Sequence, residues 1–292
     1  MRVQLRSLAA QGLERALYLP MRLLPTAFAG ATGRMLARHV APGLYPALDA
    51  RARANLALLR PDLPTDAAVA EMWENLACTF CEIPRILRFW KEGRVEVQGA
   101  GHILETRRHR AVMAAWLHTG NPEVLGMTLA WIGARPVGIA ARQPTGLRDR
   151  VVMRNRLAVG GRVLLADRDA VRPALRVLAG REETLVLAMD DYVGGIVHGP
   201  SLGRRLRTTG NIPYAVRLAR LTGCAIVPGY VTRLPGSRFR TTFLPPVELP
   251  PETGDRAADL AAGIAALDAV LDPIVRANLP QWFFTMAWGP DA

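Results

Sequence analysis

The sequence pattern of the chain changes at Val95. Beyond this residue, short apolar runs alternate with longer segments that have helical periodicity. Such alternation is typical of an α/β layer structure, and it predicts a mostly parallel central sheet flanked by helices. The predicted strands are residues 111–117, 136–141, 163–166, 184–189 and 224–231. The predicted helices are residues 47–59, 66–90, 122–132, 147–157, 170–179, 212–221 and 257–278.

The first residues of the chain carry a different pattern, and we predict an N-terminal helical region at residues 1–40 and a larger domain at residues 41–292. A transmembrane helix needs about 20 mostly apolar residues in succession. Residues 5–36 are apolar but are interrupted by prolines and by arginines, namely Arg6, Arg15, Arg22 and Arg34. This pattern suits a helix or helical hairpin that lies in the membrane interface, with its arginines at the headgroups. The alternative is an amphipathic helix that covers the domain's own core.

The charge of the chain narrows its possible partners. Lys and Arg total 37 against 25 Asp and Glu, which gives a net charge of +12, almost all of it from Arg. A guanidinium binds phosphate and carboxylate groups in bidentate fashion. The charge therefore favours nucleic acid, an anionic membrane or an acidic carrier protein as a partner.

The number and spacing of the cysteines indicate a structural role for them and a reducing environment for the protein. Three cysteines are too few for a disulfide framework. Cys78 and Cys81 form a single C-x-x-C motif without a second pair, so we expect two buried thiols on a helix and no metal site. No secretory signal pattern is evident, and a cytoplasmic setting is expected.

The segment from His118 to Glu123 carries the chemistry. His118 follows a predicted strand, and open α/β sheets place their sites at the carboxyl ends of strands. Asn121 is a favourable N-cap and Pro122 suits the first helical position, so Glu123 falls in the first turn. A carboxylate brought back to the His118 ring would leave the other ring nitrogen free to take a proton from a hydroxyl. The alternative is a loop histidine and a glutamate that only favours the helix dipole.

The surrounding motifs extend this reading to nearly the whole chain. His118-Thr-Gly-Asn-Pro-Glu123 resembles the H-x-G-N-x-E block of the bacterial lipid A biosynthesis acyltransferases. Further similar blocks follow in the same order: Ala141-Arg-Gln-Pro144 with Asp149, Arg154-Asn-Arg156, Leu187-Ala-Met-Asp-Asp-Tyr-Val-Gly194, residues 211–219, 222–223 and 227–228, Pro280-Gln-Trp-Phe283, and Trp288.

This resemblance implies a glycerolipid-acyltransferase-like fold and O-acyl transfer from an acyl-carrier-protein or coenzyme A thioester, with no further cofactor. The acceptor would be a hydroxyl of lipid A or its precursor. His118 would be the general base and Glu123 its orienting partner. Arg156 would hold negative charge in the same cleft, and Asp190 would orient Arg156 or an acceptor hydroxyl.

Other residues are predicted to bind substrate or to stabilise the fold. Arg142 and Asn121 lie in the matching blocks and are expected substrate contacts. Arg204 and Arg205 follow a glycine-rich loop and would bind acceptor phosphates, with a solvated basic face as the alternative. Glu82 is expected to have a structural role, paired with an arginine of its own helix, Arg85 or Arg88.

Two alternatives stand beside acyl transfer to lipid A. One is acylation of another glycolipid, such as a phosphatidylinositol mannoside, by the same machinery. The other is a non-catalytic basic protein that binds nucleic acid or an anionic membrane. The second alternative explains the charge but not the placed His118 and Glu123, and it lacks a basic stripe with interleaved aromatics, so no nucleic-acid partner is expected. The expected location is the cytoplasmic face of the inner membrane, peripheral or monotopic.

Overall fold

A mostly parallel, seven-stranded sheet forms the centre of the molecule, as predicted. The computed structural model describes residues 2–166 and 170–290. The strand order across the sheet is β1-β9-β8-β2-β5-β3-β4, and β9 is antiparallel to β8 while the other neighbours are parallel. The strands are β1 Val95–Gln98, β2 Val112–Trp116, β3 Pro136–Ala140, β4 Arg162–Leu165, β5 Thr184–Ala188, β8 Ala225–Leu234 and β9 Arg238–Phe243. A separate hairpin consists of β6 Tyr192–Val193 and β7 Ile196–Val197.

Helices cover both faces of the sheet and form the N-terminal part of the chain. The helices are α1 Arg2–Leu23, α2 Thr26–His39, α3 Ala41–Leu44, α4 Pro46–Leu59, α5 Thr65–Glu82, α6 Ala100–His109, α7 Pro122–Trp131, α8 Gly146–Ala158, α9 Val171–Gly180, α10 Asn211–Thr222 and α11 Arg256–Ala277. Two 3₁₀ helices, Ile83–Arg88 and Leu279–Gln281, follow α5 and α11.

The central strand β2 shows why the sheet is buried on both faces. Its residues Val112, Met113, Ala114 and Ala115 are all fully buried. Side chains alternate across a strand, and Val112 and Ala114 pack in one hydrophobic core while Met113 and Ala115 pack in the other. A nearly continuous apolar run is what a parallel strand between two helical layers requires.

The N-terminal helices pack against the rest of the chain through α2 and α5. A Cβ at Gly33 of α2 would lie 2.5 Å from the Cα of Cys78 on α5, so this crossing requires a glycine. No helix in residues 2–166 or 170–290 is long and apolar enough to cross a membrane. The division at residue 40 stays a prediction, and the side chain of Arg6 lies outside those that the structure describes.

Some elements differ from the sequence prediction. The helix predicted at residues 66–90 ends at Glu82, and the chain continues as the 3₁₀ helix Ile83–Arg88, in which Pro84 removes a backbone donor. Strands β1 and β9, helix α6 and the β6–β7 hairpin were not predicted. Strand β8 continues to Leu234, beyond the predicted end at residue 231.

Candidate active site

His118 stands at the carboxyl end of β2 and is held by a buried carboxylate from the end of β5. The Nδ1 atom of His118 lies 2.7 Å from Oδ1 of Asp190, and the backbone N–H of His118 donates to Oδ2 of Asp190 at 2.7 Å. The side chain of Asp190 is fully buried, while that of His118 is 23% exposed. An ionised carboxylate only accepts hydrogen bonds, so the ring proton belongs on Nδ1 and Nε2 is free to accept a proton.

A third donor fixes the Asp190 carboxylate from the C-terminal segment. The indole N–H of Trp282 donates to Oδ2 of Asp190 at 2.8 Å, and Trp282 is fully buried. The same segment is joined to the His118 loop because the backbone N–H of Phe283 donates to the carbonyl of His118 at 2.9 Å. The backbone N–H of His118 and the indole N–H of Trp282 therefore orient the carboxylate, and the carboxylate in turn orients the His118 ring.

The predicted contact between Glu123 and His118 is corrected by this geometry. Both carboxylate oxygens of Glu123 accept from Arg156, at 2.9 Å from Nε and 2.6 Å from Nη2. Burial alone would lower the pKa of Arg156, but the charge of Glu123, its hydrogen bonds and the charge of Asp149 together raise that pKa. The contacts differ from the predicted ones: Asp190 rather than Glu123 lies against the His118 ring, and Glu123 rather than Asp190 binds Arg156. Helix α7 directs the Glu123 side chain to α8, because its N-cap holds the first turn in place.

A buried polar network lies beneath the His118 loop and involves Asn121. The Asn121 side chain is fully buried, accepts from the backbone N–H of Glu123 and donates to Oε2 of Glu82 at 3.2 Å. Glu82 in turn pairs with Arg233 of β8 at 2.6 Å. These contacts give Asn121 a structural role, and its predicted contact with substrate stays a prediction. They also correct the expected partner of Glu82, because Arg85 instead pairs with Glu92.

The backbone of the loop is held at Gly120. This residue has φ of +57°, and a Cβ there would lie 2.7 Å from the carbonyl oxygen of Val231. Thr119 donates to the same carbonyl through its hydroxyl at 2.8 Å. A glycine is therefore required where the loop passes against β8.

Aromatic rings pack around the partly exposed His118, and one of them also lines a cavity. Trp116 and Phe284 pack edge-on against the imidazole, with centroid separations of 4.8 Å and 5.2 Å. Phe283 lies at 6.5 Å from the imidazole and lines a cavity of about 460 Å³. Most of the lining is apolar and comes from α1, α2, α4, α5 and the C-terminal segment, including Leu17, Met21, Leu36, Trp73, Leu76, Phe80 and Met286.

Polar side chains are present at one part of the cavity wall. Arg148 of α8 pairs with Glu14 of α1 at 3.0 Å, and the hydroxyl of Thr145 donates to the other oxygen of Glu14 at 2.8 Å. The guanidinium of Arg148 also lies over the ring of Phe80 at 4.3 Å. Helices α1 and α8 are thus joined across this part of the cavity.

The remaining predicted substrate residues are three arginines, Arg142, Arg204 and Arg205. Arg142 is exposed and pairs with Asp149 at 3.2 Å. Arg204 donates to the carbonyls of Ser201, Val197 and others, and its guanidinium lies over Trp288 at 5.3 Å. Arg204 thus makes several contacts within the fold, whereas the neighbouring Arg205 is exposed. The phosphate contact of both residues stays a prediction.

Sequence reasoning missed two residues that shape the site, Trp282 and Arg233. Trp282 stands in the aromatic block that was noted, but no local pattern indicates which carboxylate its indole binds. Arg233 follows an apolar strand, and a lone arginine there reads as an exposed residue at the strand end. Neither contact has a signal in sequence spacing, because the partners are 92 and 151 residues away.

Cys78, Cys81 and Cys224 are free, buried thiols, and Cys81 lines the cavity described above. Burial is the main cause that raises the pKa of both Cys78 and Cys81, to about 12. Within the part of the chain that the structure describes, no group of three or more His, Cys, Asp or Glu side chains is arranged to hold a metal ion.

A comparison with protein families relates this geometry to a known group. Residues 8–286 match the family described as bacterial lipid A biosynthesis acyltransferase. A search of curated proteins gave no match. Because the family match covers nearly the whole chain, including the His118 loop, the Asp190 strand end and the Trp282 segment, the chain belongs to the bacterial lipid A biosynthesis acyltransferase family and is an acyltransferase.

Proposed function

We propose that this acyltransferase moves a fatty acyl chain from a thioester of acyl carrier protein or coenzyme A to a hydroxyl of lipid A or its precursor, with His118 as general base. The observation that carries the proposal is the 2.7 Å contact of His118 Nδ1 with the fully buried Asp190. It leaves Nε2 as the nitrogen that can accept a proton at the partly exposed edge of the ring. Membership of an acyltransferase family gives no support to the non-catalytic alternative.

The proposed reaction needs no nucleophile from the protein. The acceptor hydroxyl attacks the thioester carbonyl carbon while Nε2 of His118 takes the hydroxyl proton. The new C–O bond forms, the C–S bond breaks, and the leaving thiolate takes the proton from the imidazolium. Asp190 stabilises the imidazolium between these two proton transfers, because its carboxylate lies 2.7 Å from Nδ1.

The cavity of about 460 Å³ is proposed as the seat of the acyl chain. Its volume is within the roughly 300–1,000 Å³ typical of small-molecule sites. Phe283 lines it and packs near His118, so a chain in the cavity would have its carbonyl end close to the proposed base. The Glu14–Arg148 ion pair would form the polar part of the wall around the acyl chain.

Glu123 and Arg156 are proposed to support the acceptor side of the reaction. Glu123 uses Nε and Nη2 of Arg156, and a guanidinium has further N–H groups that can bind a phosphate or a developing negative charge. The pair also joins the first turn of α7 to α8, which holds the loop that carries His118. Arg156 is thus a proposed substrate contact and Glu123 its positioning residue.

The protein is proposed to act at the cytoplasmic face of the inner membrane, attached through its N-terminal region. Large apolar side chains at the junction of α1 and α2 are exposed, with Leu23 at 63% and Phe28 at 42%. Arg22 lies exposed beside them. Apolar side chains flanked by arginine are typical of segments that lie in a bilayer interface.

The proposed function is tested with purified protein, radiolabelled acyl donors and purified acceptors. Carrier-protein and coenzyme A thioesters are supplied in parallel, with a lipid A precursor or a phosphatidylinositol mannoside as acceptor. We expect the lipid A precursor to gain one acyl chain by mass spectrometry. Transfer only to the mannoside would replace the acceptor assignment, and no mass gain with any donor would contradict the proposal.

A further inference from the structure

The β6–β7 hairpin presents apolar side chains to solvent close to the proposed base. Tyr192 and Val193 are 51% and 58% exposed. The ring of Tyr192 stacks on Phe284 at a centroid distance of 5.9 Å, and Phe284 packs edge-on against His118 at 5.2 Å. The exposed hairpin is therefore separated from the His118 ring by a single aromatic side chain.

The loop that follows the hairpin adds arginines and another exposed apolar side chain. Arg204 fixes this loop to β7 because its Nη2 donates to the carbonyl of Val197 at 2.9 Å. The next three residues, Arg205, Leu206 and Arg207, line one small cavity together with Arg204. Leu206 is 37% exposed, and Arg207 is close enough to add to burial in lowering the pKa of Arg204. Leu206 thus lies among arginines in a loop that Arg204 attaches to the hairpin.

We propose that this surface binds the glycolipid acceptor where it emerges from the bilayer. We name it the hairpin lip and define it by Tyr192, Val193, Arg205, Leu206 and Arg207. The apolar side chains would contact the acyl chains of the acceptor, and the arginines would bind its phosphates. The inference rests on the proposed acyl transfer at His118 and names the surface that delivers the acceptor to that site.

The composition of the lip favours a lipid over the acidic carrier protein. An acidic protein would engage the arginines but would not account for exposed Tyr192, Val193 and Leu206 beside them. An amphipathic glycolipid that carries phosphates and acyl chains matches both kinds of group. The position next to Phe284 and His118 places such a lipid beside the atom that must take its hydroxyl proton.

The first test uses a fluorescent probe and requires no turnover. A Val193→Cys variant is labelled with an environment-sensitive bimane, which is selective because Cys78, Cys81 and Cys224 are buried and burial raises the pKa of each thiol. The matched control is Leu221→Cys, whose native side chain on α10 is 73% exposed. Labelled proteins are mixed with phosphatidylglycerol vesicles that contain or lack a purified lipid A precursor. We expect a blue shift at position 193 that is larger with the glycolipid, and none at position 221.

The second test separates acceptor binding from donor binding. The variants are Val193→Ser with Leu206→Ser, and Arg205→Gln with Arg207→Gln, with Leu221→Ser as the exposed apolar control. We expect KM for the vesicle-borne acceptor to rise roughly tenfold, as for the loss of a partly buried aliphatic or charged contact. KM for the donor and kcat should stay near the wild-type values. This split distinguishes acceptor binding from a structural role of the hairpin.

Several outcomes would overturn the inference. A rise in KM for the carrier-protein donor alone would mean that the lip docks that protein. A probe shift that is the same with and without glycolipid, or the same at position 221, would mean plain bilayer contact, and unchanged KM values would mean no substrate contact. If the wild-type chain transfers no acyl group, the proposed function fails. The probe result still decides whether the lip binds the glycolipid.

Discussion

A substitution at Asp190 should have a large effect on kcat. The Asp190 carboxylate accepts from the backbone of His118, from the imidazole and from the indole of Trp282. In Asp190→Asn, an amide N–H facing Nδ1 would favour the ring tautomer with its proton on Nε2, which cannot accept one. We expect kcat to fall about 10²–10⁴-fold.

The neighbouring Asp191 provides the matched control for that change. Burial raises the pKa of Asp191, and its carboxylate accepts from the backbone N–H of Asn211 at 3.0 Å. An asparagine oxygen can accept from the same backbone N–H, so Asp191→Asn should retain most activity in the same acyl-transfer assay. Equal losses in the two variants would contradict the orienting role of Asp190.

Trp282 is expected to act as a positioning residue through Asp190. Trp282→Phe keeps an aromatic ring but removes the N–H that donates to Asp190 at 2.8 Å. Without this donor, the negative charge of the carboxylate is less stabilised and attracts the His118 imidazolium more strongly. The acid limb of the kcat/KM pH profile should therefore move to higher pH, together with a lower kcat.

Trp288→Phe is the control for that pH profile. Trp288 is equally buried, and its Nε1 has no hydrogen-bond partner among the residues that the structure describes. Its removal should leave the acid limb in place. If Trp282→Phe lowers activity without moving the profile, Trp282 has only a packing role.

At the residue scale, the sequence predicted that His118 follows a strand end but not which carboxylate contacts it. His118 could be predicted because strand end, N-cap and helix start are local signals. Asp190 was predicted at the site from motif resemblance, yet its contact with His118 joins residues 72 positions apart. Glu123 was the nearest carboxylate in sequence, and the sequence could not reveal that Arg156 binds both of its oxygens.

At the scale of secondary-structure elements, the Glu82–Arg233 pair joins α5 to β8 beneath the His118 loop. Arg233 also donates to the side chains of Asn75 and Thr79 on α5, at 2.8 Å and 2.9 Å. Burial alone would lower the pKa of Arg233, but Glu82 outweighs it and raises that pKa. Arg233→Met would remove the ion-pair partner of the fully buried Glu82. We expect the free energy of unfolding to fall by about 3–5 kcal/mol.

Urea denaturation measures this loss, with Glu82→Gln and a double Glu82→Met, Arg233→Met variant beside it. The double variant should lose less than the sum of the single ones, because it leaves no unpaired charge. A single-variant loss below about 1 kcal/mol, the range of exposed ion pairs, would contradict the structural part assigned to this pair.

Strands with a local sequence signal were predicted, and strands without one were missed. Buried central strands such as β2 and β5 have continuous apolar runs and were predicted within about one residue. Strands β1 and β9 alternate polar and apolar residues over short lengths, as in Val95-Glu-Val-Gln98, so they carry no such run. Their pairing is decided by the sheet rather than by their own composition.

At the scale of the whole molecule, the positive charge and the exposed N-terminal apolar side chains should act together at a bilayer. The net charge is +12, and Leu23 and Phe28 are exposed. Binding to phosphatidylglycerol vesicles should weaken between about 0.1 M and about 1 M salt, where the screening length falls from about 10 Å to about 3 Å. Leu23→Ser with Phe28→Ser should weaken what remains at high salt.

Vesicle co-sedimentation measures both effects, with phosphatidylcholine vesicles as the uncharged control. Binding that ignores salt and is released only by detergent would contradict attachment at the surface. In the sequence, the arginines within the first helices already favour attachment at the membrane surface. The sequence did not indicate that α2 packs on α5 through Gly33, because that contact depends on the tertiary fold.

His118 is proposed as the general base of acyl transfer, and the activity of a His118→Ala variant decides whether it is. The assay follows radiolabelled acyl transfer from a carrier-protein thioester to a purified lipid A precursor. Circular dichroism serves as the folding control, and exposed His109→Ala is the matched histidine variant. We predict a loss of about 10²–10⁴-fold for His118→Ala and near-normal transfer for His109→Ala. Near-normal turnover by folded His118→Ala protein would contradict the claim.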